Sequence, residues 1–270
     1  MAIITISRGS YSKGKEVAEK VASRLGYRCL SREVILDASD RYQIPEIKML
    51  KAIHDAPSIL ERFGQSKTAF VAYYQSALAQ IVQADNVVYH GLAGHLLLKG
   101  IPHTLKVRII ADLGDRVRSE MEHRKIPSYE AEASIVADDQ ERRKWTQSLY
   151  GVDPWDGFLY DIMIHIQKMT VANAVDIICE AAGWEQFKTT EDSQRKMDDL
   201  VLASQIKASL VDTYPGIAVS CEYGNVLIYT KADDRLSRKL DKEAESLGRK
   251  IEKIHSLELV PGGKIPPEAI

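Results

Sequence analysis

The chain has 270 residues, 45% of them hydrophobic and 27% charged, with a formal net charge of -2 at pH 7. This is the composition of a soluble globular chain with one or two cores; it excludes extensive disorder and a broad nucleic-acid-binding surface, and leaves room for local cation clusters that grip small anions. Cys29, Cys179 and Cys221 are too few and too scattered for a disulfide framework or a zinc site, and neither a leader-like segment nor an apolar run of roughly 18 residues is seen, so a cytoplasmic chain without a transmembrane segment is expected.

Residues 2–6 read as a short apolar strand. It runs into Gly9-Ser10-Tyr11-Ser12-Lys13-Gly14-Lys15-Glu16, which fits the phosphate-loop spacing G-x-x-x-x-G-K with Glu16 in the place of the usual hydroxyl residue. In such a loop, backbone N–H groups and a helix N-terminus cradle phosphate oxygens while the lysine pairs with the outer phosphates. Val17, Val21 and Leu25, with Ala18 beside them, then give an amphipathic helix that Gly26 stops. The bare spacing also fits a glycine-bearing turn that binds nothing; the strand before it and the helix after it favour the phosphate loop.

Residues 31–84 read as a mostly helical insertion punctuated by Pro45 and Pro57, of a size to hold a second substrate. Further apolar runs at residues 86–89, 105–110 and 160–166 alternate with helical patterns, as in a parallel sheet covered on both faces. Val171, Val175, Ile178 and Ala182 form a closing helix ended by Gly183, and polar residues 188–196 read as a linker. Beyond it the pattern is helix (Leu202, Ile206, Leu210), a hairpin of residues 217–221 and 226–229 around Gly224-Asn225, helix (Leu236 to Ile251) and a strand in 254–260. That order defines a small α+β domain with residues 262–270 as a loose tail.

Residues 1–187 resemble the cytidylate kinase-like family of P-loop nucleoside monophosphate kinases, on Ile4-Thr5-Ile6-Ser7-Arg8, Gly14-Lys15-Glu16, Leu25-Gly26-Tyr27, residues 107–116 and 139–144, and Tyr160-Asp161. The resemblance implies a P-loop NTPase fold, a three-layer α/β/α domain with a parallel sheet. Residues 197–261 resemble a BON domain on Val219, Gly224-Asn225-Val226 and Leu247, which implies a lipid or protein partner for this module. The activity implied is ATP-dependent phosphoryl transfer to a nucleoside monophosphate such as CMP, with ATP and Mg2+ as cofactors and no nucleic-acid partner. The alternative is a catalytically weak or inactive nucleotide-binding regulator that acts through the BON-like module. A scaffold without nucleotide binding is a third reading, against which Gly14 and Lys15 stand.

On that resemblance, residues Gly9 to Glu16 hold the donor phosphates, with Lys15 the leading catalytic residue. Lys13 is either a phosphate contact or a solvated loop charge. Arg116, Arg142 and Arg143 are the lid candidates, guanidinium groups whose fixed donors match phosphate oxygens, unless they belong to solvated helix faces. Arg32 is the candidate contact to the acceptor phosphate, though Ser31-Arg32-Glu33 is also a good helix start. Glu16 is the candidate Mg2+ ligand, and Asp112 either orients the metal or caps a helix. Two departures are visible: family members carry a Gly-Arg-Gly type segment where this chain has His90-Gly91-Leu92-Ala93-Gly94, and no acidic residue ends the strand before it. Trp145, Tyr150 and Trp155 read as core or rim residues, and the seven histidines show no metal-binding spacing.

Overall fold

The computed structural model describes residues 2–46, 67–231, 234–262 and 264–270. In chain order the elements are β1 (Ile3–Arg8), α1 (Gly14–Leu25), β2 (Arg28–Leu30), α2 (Glu33–Tyr42), α3 (Lys67–Val82), β3 (Val87–Tyr89), α4 (Gly94–Leu97), β4 (Thr104–Ala111), α5 (Leu113–Arg124) and α6 (Ser128–Tyr150). They continue with β5 (Ile162–Ile166), α7 (Val171–Ala182), α8 (Glu191–Leu210), β6 (Ala218–Glu222), β7 (Asn225–Thr230), α9 (Asp234–Gly248) and β8 (Ser256–Pro261). The chain divides into two compact units, one containing residues 2–33 and 85–189, the other residues 34–46, 67–84 and 190–270.

The first unit is a three-layer α/β/α fold around a five-stranded sheet in the order β2-β3-β1-β4-β5, every pair parallel. β1 is central because its alternate residues are apolar on both faces. Ile4 and Ile6 join Leu105, Val107, Ile109, Ile164 and Ile166 under Val17, Val21, Val175 and Ile178 of α1 and α7. Burying each such aliphatic side chain contributes about 1.5–3 kcal/mol, enough to fix the strand register. Four strands stand where the apolar runs place them. β2 goes unpredicted because three residues, with Arg28 exposed, are too short to show alternation.

The second unit is an α+β module whose sheet runs β6-β7-β8, antiparallel then parallel. Its hairpin turns one residue earlier than Gly224-Asn225: Tyr223 and Gly224 take the two positive φ angles, 52° and 74°, and Asn225 already pairs with Glu222. Residues 188–196, expected as a linker, are helical from Glu191. Their polarity is that of a helix start, since Thr190 and Ser193 close a capping box and Glu191 and Asp192 occupy the positive first turn. α8 is buried nearly all round, from Met197 and Leu200 to Ala208 and Leu210, with α3 on one side and β6 on another. The described parts of the 31–84 insertion beyond Glu33 thus belong to this unit; Pro57 lies outside the described residues. Nor is the expected loose tail loose at its end, because Ile270 exchanges two 3.0 Å backbone hydrogen bonds with Val219 and packs on the module's core. Among the described residues no helix is long and apolar enough to cross a membrane.

Candidate active site

The loop between β1 and α1 turns through positive φ at Tyr11 (57°) and Lys13 (64°). Ser12, 1% exposed, closes it by donating its hydroxyl to the Gly9 carbonyl at 2.9 Å. α1 starts at Gly14 without a side-chain cap, so the N–H groups of its first turn keep no acceptor within the helix, the condition for binding an anion. Gly14 is required by contact rather than by φ: a Cβ there would come 2.7 Å from both Cβ and Cδ of Arg8.

Sequence reasoning passed over Arg8. The period-two alternation that buries Ile4 and Ile6 puts Arg8 on the same face at the end of β1, and a cation closing an apolar stripe is the signal that marks it. Burial and the neighbouring Arg142 charge hold the Arg8 guanidinium below its ordinary pKa, and its Nε has no hydrogen-bond partner. His90, 6% exposed, is held below the usual histidine range first by burial and then by Arg8, and its Nδ1 also lacks a partner. Two guanidinium groups, Arg8 and Arg142, thus stand together at the start of the loop, with Glu19 the carboxylate whose charge acts on Arg8.

Of the lid candidates, Arg116 and Arg142 reach the loop and Arg143 does not. Arg116 of α5, 9% exposed, donates Nε to the Ser10 carbonyl at 2.6 Å and places Nη2 2.7 Å from Asp139 Oδ2 of α6. Arg142 donates Nη1 to the Arg8 carbonyl at 3.2 Å. Arg143 turns away, its Nε donating to Asp153 at 3.0 Å and its Cζ 4.5 Å from the centre of the Trp155 ring; that hydrogen bond holds the Asp153 carboxyl below its ordinary range. Ser10 donates its hydroxyl to Asp138 Oδ2 at 3.2 Å. Tyr11 anchors the loop to α5 and α6, packing on Val117, Ala131 and Ile135, and its phenol is raised chiefly by a hydrogen bond with Glu120.

The remaining candidates are placed as follows. Lys13 is exposed, and Lys15 is 65% exposed with Nζ 3.7 Å from Glu19. Glu16 pairs with Lys20 at 2.7 Å along the outside of α1. Arg32 is exposed at the foot of α2. Asp112 stands at the N-cap position of α5 without capping it, because its carboxylate accepts from Gln167 and lies 2.9 Å from His165. Trp145 is buried and Trp155 half-exposed. For a magnesium ion, Glu16 is engaged with Lys20, whereas Asp139 Oδ1 is a buried hard oxygen without a hydrogen bond, 3.5 Å from where a Gly9 Cβ would stand. Among the described residues no group of three or more His, Cys, Asp or Glu side chains is placed to hold a metal ion.

A parallel sheet with strand order 2-3-1-4-5, a glycine-bearing loop from its central strand into a helix, and converging arginines define a P-loop kinase-like fold. Residues 3–168 match the profile of the Cytidylate kinase-like family, and the chain belongs to that family. A stretch of 97 residues is 34% identical to cytidylate kinase of Methanosarcina acetivorans, covering 36% of this chain and 53% of that protein. The chain therefore spans about half the length of the curated relative it matches. Among solved structures, an uncharacterized protein from Eubacterium ventriosum shares the fold at a TM-score of 0.53 and 20% identity, over 67% of this chain and 97% of its own. Shikimate kinase from Bacteroides thetaiotaomicron aligns at a TM-score of 0.44 and 10% identity, over 68% and 99%.

Proposed function

We propose that this chain transfers the γ-phosphoryl group of ATP to a nucleoside monophosphate, CMP first among the candidates. The observation that carries this reading is the convergence of Arg8, Arg116 and Arg142 on the loop from Gly9 to Gly14, with a helix N-terminus open beneath it. Phosphoryl transfer needs little covalent work from the protein; it needs donor and acceptor held in line and the developing charge neutralised. The loop amides hold the donor phosphates, Lys15 swings from Glu19 onto them, and Arg116 and Arg142 meet the transferring group. Asp139, through its free Oδ1, is the residue that would hold Mg2+, which when bound supplies neutralising charge to the phosphates. Family membership and the match to a cytidylate kinase support the choice of acceptor.

Transfer of label from ATP with magnesium to a panel of nucleoside monophosphates, wild type against Lys15→Ala, tests the reading. Transfer to one acceptor that the substitution abolishes supports it; no transfer to any member sinks it. A second reading, a nucleotide-binding regulator without turnover whose BON-like module contacts a lipid or protein partner, is favoured by Leu92 and by the solvent-facing Lys15. It predicts saturable, Lys15-dependent ATP binding with no transfer.

A further inference from the structure

Arg108 lies in the middle of β4 and is 7% exposed. Leu105, Val107 and Ile109 face the core under α1 and α7, so alternation turns Arg108 to the opposite face of the sheet, beside Ser7, its partner in the β1–β4 register. Its Nη1 donates to Ser7 Oγ at 3.3 Å and to the Tyr160 hydroxyl at 3.2 Å, and its Cζ lies 5.5 Å from the centre of the Tyr160 ring. The Tyr160 hydroxyl in turn donates to the Pro154 carbonyl at 2.9 Å and lies 3.3 Å from Nε2 of His95, which is 6% exposed. Burial, then the charges of Arg108 and Lys106, push His95 down to about 3, so it is neutral at any physiological pH.

Every group that touches this cation is therefore neutral. Arg116, an equally buried arginine of the same unit, instead faces a carboxylate directly, Asp139 at 2.7 Å. Among the described residues no carboxylate hydrogen-bonds Arg108; Asp153, whose carboxyl feels its charge, is committed to Arg143, so the cation is only partly compensated, and well-packed apolar residues in such places are commonly more stable. In the β1–β4 register the residue sits two strand positions short of the phosphate loop, below the carboxyl edge where open parallel sheets bind ligands. The segment from His90 to Gly94 brings neither lysine nor arginine to that edge.

We propose that Arg108, with the hydroxyls of Ser7 and Tyr160, is an anion subsite that takes the phosphomonoester of the acceptor, on the sheet face opposite Arg8. This rests on the nucleotide-kinase reading, which selects a phosphate among the oxyanions that a guanidinium fork and two hydroxyls match.

The test uses the full chain as wild type, Arg108→Met and Arg108→Lys, titrated calorimetrically with CMP, cytidine and ATP, with thermal melts of each. Arg108→Met weakens CMP by roughly ten- to a hundredfold, the worth of charge-assisted hydrogen bonds, and leaves ATP and cytidine within about twofold. It melts at or above wild type, which a purely structural arginine would not do; Arg108→Lys falls between. Unchanged CMP affinity in both variants overturns the subsite, as does an Arg108→Met that melts well below wild type together with an Arg108→Lys that binds CMP normally. If the wild type binds no monophosphate, the nucleotide reading fails by itself, and inorganic phosphate titrated into Lys15→Ala with and without Arg108→Met decides the subsite: Arg108-dependent binding retains it, Arg108-independent or absent binding removes it.

Discussion

Arg116 and Asp139 form a 2.7 Å ion pair, with the Arg116 guanidinium and the Asp139 carboxylate both packed against Gly9 of the phosphate loop. On the proposed kinase reading, the carboxylate competes with an incoming phosphate for this cation. Asp139→Asn should therefore raise affinity for metal-free ATP several-fold while lowering the stability of the ligand-free protein by about 2 kcal/mol, below the 3–5 typical of fully buried pairs. Urea melts with and without ATP in chelator measure both. Equal ATP affinity in the two proteins would mean that the pair does not compete with phosphate.

Arg142 and Arg143 are neighbours in sequence with different contacts. Arg142 touches the Arg8 carbonyl, whereas Arg143 is committed to Asp153 and Trp155. Arg142→Ala should lower the transfer rate by about a hundredfold or more, the loss expected for one positioned donor to developing charge. Arg143→Ala should leave the rate nearly unchanged and cost up to about 1 kcal/mol of stability, as for a partly exposed ion pair. Steady-state rates and urea melts of both variants separate the roles, and a large rate loss in Arg143→Ala would contradict this assignment.

The contrast between these two arginines shows where the sequence stops being informative. A run of charges on a helix has a period but no stated direction, so Arg116, Arg142 and Arg143 look alike until α6 is laid against the loop. The strands were legible because Ile4, Ile6, Leu105, Val107 and Ile109 recur at every second position on the sheet face under α1 and α7. Arg8 carries the same signal inverted, a cation where the alternation of Ile4 and Ile6 demands an apolar residue; Arg108, on the face opposite Leu105, Val107 and Ile109, fits the alternation, and its burial is not legible from it. Polar residues 188–196 mislead for a different reason, since capping boxes and linkers draw on the same residues, and Thr190 is distinguished only by its bond from the Ser193 amide. The grouping of α2 and α3 with α8 was not legible at all, because their apolar surfaces name no partner.

His95 predicts a pH response. Its folded pKa of about 3 lies below the ordinary 6.5, so between those values the unfolded chain binds a proton that the folded chain refuses. Its contribution to stability is complete above pH 6.5 and falls as pH drops toward 3, by at most about 1.4 kcal/mol per pH unit. His90 and His103, also lowered by burial, act in the same direction. His95→Gln should therefore flatten, without abolishing, the acid limb of a urea-melt profile between pH 6.5 and 4. An acid limb of unchanged slope would show that His95 is protonated without resistance.

Lys207 of α8 offers the converse test at high pH. It is half-buried, and burial alone pulls its amine down to about 8 from an ordinary 10.5. Below pH 8 the folded chain carries this charge at a cost; between 8 and 10.5 the folded lysine is neutral while the unfolded one is still protonated, so its effect on stability improves as pH rises through that window. Lys207→Met should stabilise the protein at pH 7 by about 1–2 kcal/mol, the larger transfer value being discounted for partial exposure, and the advantage should shrink by pH 9.5. Comparing variant with wild type at each pH isolates the lysine from Tyr73, Tyr214 and Cys221, whose raised pKa values act in the opposite sense in the same range. An advantage that stays constant from pH 7 to 9.5 would assign the gain to packing against the helix and not to relief of a buried charge.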